Sequence, residues 1–167
     1  VWGALNDDDN DDDDDDDDDA AAPIFGCNIP TAVGSARVER VSVGGGHVLA
    51  LTDTGEVLSF GYGEYGRLGH GDEENQLVPK VIEALRGTRV LAIAAGGSHS
   101  MVLTDEGVVL SFGQGDWGQT GHGDEEFRHA PRVIEALNGV RVVAIAAGVF
   151  HSMVLTDEGE VLSFGLG

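Results

Sequence analysis

Short apolar runs, too brief for helical stripes, organise this chain. Ser100–Thr104 reads SMVLT and Val108–Gly113 reads VVLSFG. Both are rich in branched and aromatic side chains, which suit the pleated, half-buried surface of a strand. Asp105-Glu106-Gly107 lies between them, and the Asp-x-Gly pattern returns at Asp53–Gly55 and Asp157–Gly159. Glycine there can supply the positive φ of a hairpin turn, so each pair of runs predicts a hairpin. Arg89–Gly97, RVLAIAAGG, predicts a third strand whose alanines and glycines point to close crowding. Pro79–Gly87, PKVIEALRG, has proline at its start and glycine at its end, as a short helix would. A fourth, outer strand followed by an irregular connection is preferred, because a four-stranded unit of this length suits a propeller blade.

The runs repeat as long units. HVLALTDTGEVLSFG begins at His47, HSMVLTDEGVVLSFG at His99 and HSMVLTDEGEVLSFG at His151, a spacing of 52 residues each time. VPKVIEALRGTRVLAIAAGGSHS is matched by APRVIEALNGVRVVAIAAGVFHS. Near-identical units at a fixed period mean that each buries its apolar face against its neighbours. Kelch propellers have a similar period, but their paired glycines with spaced Tyr and Trp are not found.

The expected fold is therefore all-β: a partial β-propeller of about three four-stranded blades. Val1–Gly3, VWG, matches Ser59–Gly61, SFG, and reads as the end of a preceding blade strand. Residues 4–22 read as an acidic low-complexity loop insertion, and residues 23–167 as propeller repeats. Units fall near 38–89, 90–141 and an incomplete 142–167. With Val1 at its start and an open array, the chain reads as part of a larger propeller.

AAGGSHSMVLTDEGVVLSFGQGDWGQTGHGD, at Ala94–Asp124, resembles the repeat of the regulator of chromosome condensation family. That pattern has a glycine, then His, a Leu-Thr pair, an aromatic-Gly and a glycine-rich loop. The resemblance spans about Val38 to Gly167 and implies a propeller, usually of about seven blades. Phe60, Phe112 and Phe164 stand where the family usually has Trp, and Arg67 replaces a glutamine that Gln119 retains. The resemblance also implies two activities for a parent protein. One is guanine-nucleotide exchange on a small Ran-like GTPase. The other is service as accessory repeats in a larger ubiquitin ligase or kinase. A light-sensing member of the family carries its sensing tryptophans in a Gly-Trp-Arg-His-Thr motif, which this chain lacks.

Charge sharpens the functional reading. The formal net charge is −21, and Asp7–Asp9 with Asp11–Asp19 supply only part of it. Such a surface repels DNA, RNA and anionic membrane and suits basic protein segments. One cysteine, Cys27, excludes an internal disulfide. No apolar stretch approaches membrane-spanning length, and the expected location is intracellular, cytoplasmic or nuclear.

Candidate chemistry is sparse. His47, His99 and His151 follow glycines once per unit and are expected to be buried imidazoles bonded to a neighbouring strand or loop. Leu68–Asn75, LGHGDEEN, and Thr120–Phe127, TGHGDEEF, place a histidine beside three carboxylates. They lack the alternating acids of a calcium loop and the further His or Cys that zinc needs. No nucleophile elbow or phosphate loop occurs. No catalytic residue, cofactor or metal is therefore expected. The candidate partner-binding residues are Asp72, Glu73, Glu74, Asp124, Glu125 and Glu126 with Tyr65 and Trp117. The two aromatics are expected to pack within loops, with an anchoring role as the alternative. Poly-aspartate falls at the same loop position of the preceding unit. An acidic loop face on a non-enzymatic protein-interaction module results.

Overall fold

The computed structural model describes residues 37–166, so poly-aspartate, Trp2 and Cys27 lie outside the described residues. Eleven antiparallel strands form three sheets among them. The first contains β1 (Val38–Val43), β2 (His47–Thr52), β3 (Val57–Gly61) and β4 (Gln76–Val81) in chain order. The second repeats it with β5 (Val90–Ala95), β6 (His99–Thr104), β7 (Val109–Gly113) and β8 (Arg128–Val133). The third contains β9 (Val142–Ala147), β10 (His151–Thr156) and β11 (Val161–Gly165). It has three strands among the described residues, where four per blade were expected.

The predicted hairpins form. Gly107 closes the β6–β7 turn at φ 82°, and its N–H donates to the Thr104 carbonyl. The segment read as strand or helix divides. Val78–Val81 ends β4, and Glu83–Leu85 then makes one turn of 3-10 helix. The division has a packing cause: Ile82 and Leu85 turn inward and are buried, while Leu77 and Val78 on the outermost strand stay exposed. Pro79 and Pro131 fit these outer strands because an edge position has no inner ladder bond to lose.

The core lies between sheets. Leu49, Leu51, Val57 and Ile82 of the first blade pack with Val90, Val102 and Phe112 of the second. Ala94, Met101, Leu103 and Val109 of the second pack with Val142 and Val154 of the third. A blade alone would expose one of these faces, as expected for a repeat stack. Around the inner ends, Gly45 N–H donates to the Gly96 and Gly97 carbonyls, and Gly97 N–H to the Gly148 carbonyl.

Candidate interaction surface

Histidine and serine side chains join the blades. His47 Nε2 lies 2.8 Å from Ser100 Oγ, whose hydroxyl donates to the Arg67 carbonyl at 2.8 Å. One period later, His99 Nε2 lies 2.7 Å from Ser152 Oγ, which donates to the Gln119 carbonyl. A serine has one proton, and the carbonyl takes it. The histidine must therefore donate Nε2–H to Oγ, which leaves Nδ1 as a buried lone pair. Neither Nδ1 finds a partner. Charging either ring would bury a cation with one N–H unpaired. Burial, with Arg67 and His99 adding to it, lowers the His47 pKa to about 3; burial and then His151 lower that of His99 to about 4. The glycine three residues before each histidine is steric. A Cβ at Gly96 would lie 2.3 Å from Cε1 of His99 and 2.6 Å from the Gly148 carbonyl.

The same chemistry anchors the acidic loops. Ser59 Oγ donates to the Leu68 carbonyl at 2.7 Å and lies 2.9 Å from His70 Nε2. Ser111 Oγ donates to the Thr120 carbonyl and lies 3.0 Å from His122 Nε2. The histidines of the two GHGDEE stretches are thus loop pins, lowered in pKa chiefly by burial. Between loop and strand sits the variable position: Arg67, buried, bonds the Glu64 side chain and carbonyl. Gln119 in its place accepts Trp117 N–H and reaches Asp116.

Beyond the pins the loops reach solvent. Asp72 Oδ1 accepts the Glu74 N–H, and Asp124 Oδ1 the Glu126 N–H, at 3.1 Å each. That backbone bond, with Arg128, lowers the Asp124 pKa. Arg128 binds both Asp124 and Glu126, so the second loop is partly neutralised. Glu73 Oε1 lies 2.8 Å from His129 Nε2 on the next blade's outer strand. Glu74 and Glu125 are exposed and make no ion pair among the described residues. Tyr65, at φ 63°, meets Phe127 of the next blade edge-on at 4.9 Å, and Arg67 lies 5.4 Å from its ring. Trp117 meets Phe150 edge-on at 6.3 Å and stays about half exposed at 49%.

Six of the eight predicted residues are thus tied into local or inter-blade contacts. The sequence reasoning missed Phe127, Arg128 and His129. Their signal was the divergence of GDEEFR from GDEENQ, where a phenylalanine and then an arginine follow the acids. Among the described residues, no group of three or more His, Cys, Asp or Glu side chains is arranged to hold a metal ion.

The regulator of chromosome condensation (RCC1) repeat model matches residues 54–103 and 106–155, and a second model of that repeat matches 38–67 and 90–119. The chain belongs to the RCC1 repeat family. It is 44% identical over 138 residues to the human E3 ubiquitin-protein ligase HERC2, covering 81% of this chain and 3% of that protein. Among solved structures, human WBSCR16 matches with a TM-score of 0.74 at 29% identity, covering 80% of this chain and 34% of that one. Prp20p from Saccharomyces cerevisiae matches with a TM-score of 0.70 at 26% identity, covering 78% and 34%. This RCC1 array therefore spans about a third of those structures and a small part of HERC2.

Proposed function

We propose that this RCC1 array is a non-catalytic protein-interaction module whose acidic loop tips engage a basic segment of a partner. The observation that carries the reading is the division of labour within each loop. The histidines and serines are consumed by hydrogen bonds to backbone carbonyls and to one another, while the carboxylates of Glu74 and Glu125 remain exposed and that of Asp72, which accepts the Glu74 N–H, is partly so. A serine whose proton is committed to a carbonyl is poorly placed for nucleophilic attack. Prp20p has been described together with its binding to Gsp1p and histones, and histones are basic proteins. The identity to HERC2 favours the same module carried within a larger ligase polypeptide.

The test is binding of a lysine- and arginine-rich peptide to the 167-residue chain, measured against salt. Saturable binding that weakens from 50 to 300 mM salt is expected. Asp72→Asn with Glu74→Gln, and separately deletion of Asp7–Asp19, should each reduce affinity several-fold. Affinity that both changes leave untouched would sink the acidic-face reading.

A further inference from the structure

The two GHGDEE loops share a turn but differ in what their acids hold. Asp72 Oδ1 accepts the Glu74 N–H, and Asp124 Oδ1 accepts the Glu126 N–H, each at 3.1 Å. In the second loop the remaining carboxylate oxygens are occupied. Asp124 Oδ2 takes one terminal guanidinium nitrogen of Arg128, and Glu126 Oε2 takes the other at 3.1 Å. Arg128 is buried, although both carboxylates reach solvent.

The first loop has the two carboxylates without the arginine. Gln76 stands where the second loop has Arg128, 52 residues earlier. Gln76 pairs with Gly61 across β3 and β4 as Arg128 pairs with Gly113 across β7 and β8, so both side chains leave the backbone at equivalent points. Asp72 Oδ2 and the Glu74 carboxylate have no hydrogen bond or ion pair among the described residues. Both blades that frame this loop have all four strands. The loop is also fixed in place. Glu73, between the two acids, meets His129 Nε2 at 2.8 Å, and Gly71 N–H donates to the His129 carbonyl at 2.8 Å.

We propose that Asp72 and Glu74 bind one arginine side chain of the partner, seated as Arg128 is in the sister loop. The proposal rests on the acidic-face reading and narrows it from basic segments to arginine-bearing ones. Adjacent acids alone would not specify a ligand; the guanidinium held by the same two positions of the sister loop does. A guanidinium is a planar fork that can span two carboxylates at once, whereas a lysine ammonium is a compact point charge. Arginine is also the more weakly hydrated of the two and so enters a partly shielded site more readily. The His129 contacts hold the loop before binding, which reduces the ordering that binding must impose.

The probes are two fluorescein-labelled peptides of equal charge, GKGRGKG and GKGKGKG, titrated by anisotropy into the full 167-residue chain at about 50 mM salt. The arginine peptide should bind about fivefold more tightly. Gln76→Arg supplies the guanidinium from within and should erase that preference. Leu77→Arg adds the same charge at an exposed neighbour whose side chain points to the other face of the strand, and should retain it. Asp72→Asn and Glu74→Gln should each cut the preference to less than about twofold, since either leaves a single carboxylate for the fork. Equal affinity for the two peptides in the unaltered chain overturns the proposal and leaves the acidic-face reading standing. So does a preference that survives Gln76→Arg, or Asp72→Asn, in a chain of unchanged circular dichroism. If neither peptide binds, both readings fail together.

Discussion

β6 and β10 are the same six residues, His-Ser-Met-Val-Leu-Thr, in different surroundings. In β6 all six are buried; in β10 burial alternates, with His151, Met153 and Leu155 exposed. β6 has a blade on each face, and β10 has one on a single face. The identical hexapeptide therefore has a two-sided core environment in one place and a one-sided environment in the other. Local preference made both strands, and the neighbours decided what each strand contributes. The two acidic loops differ likewise: the Tyr65 loop is roofed by Phe127 and His129, and the Trp117 loop is open.

The largest expected contrast comes from one substitution made in each copy. Met101 is fully buried, so Met101→Ala should destabilise the chain by about 3 kcal/mol, whereas Met153→Ala should cost less than about 1 kcal/mol. Urea unfolding of the two variants measures this. Equal losses would mean that the third blade is covered in solution.

Acid should act on the clasps next. His47 and His99 are neutral when folded, with pKa lowered to about 3 and about 4, against 6.5 for the ordinary side chain. The unfolded chain takes up protons first as pH falls. Their stabilisation is therefore complete above about 6.5 and declines through the window down to about 4 and then 3. At pH 5 the loss is roughly 2 kcal/mol for each histidine. Denaturation midpoints measured between pH 7.5 and 5 should fall accordingly, and much less in a His47→Asn, His99→Asn double variant. An unchanged slope in that variant would remove the clasps from the account.

A smaller contrast lies at the loop pins. Ser111→Ala strands the Thr120 carbonyl and His122 Nε2 and should cost about 1–2 kcal/mol, while Ser163→Ala should be neutral within about 0.5 kcal/mol. Thermal melts of the pair suffice to compare them, and a matching loss at Ser163 would show that its hydroxyl is also engaged.

Much of the fold was legible because the repeat states it three times. The 52-residue period, the Asp-x-Gly hairpins and the strand-opening histidines are all local or periodic signals, and the structure has each where the period puts it. His47 and His99 also read correctly as buried groups held by a neighbour. His151, expected to be buried with them, is exposed because no further blade covers that face of β10 among the described residues. What the sequence did not disclose was the partner of each: Ser100 sits beside His99 in the chain, yet its hydroxyl serves His47 of the blade before. Nor could it disclose that Glu73 meets His129, since 56 residues separate them. The segment at Pro79–Gly87 was ambiguous for a related reason. Its apolar spacing fits a strand or a helical turn, and the pull of Ile82 and Leu85 into the inter-blade core split it into both.

The sequence by itself determined the unit: which runs become strands, where they turn, and that copies must stack to bury their faces. Only the tertiary structure decided which copy of each residue is inside. Burial belongs to the stack, because a strand's second face is covered by residues one full period away. The same His-Ser-Met-Val-Leu-Thr is buried on both faces in one blade and on a single face in the next for that reason alone.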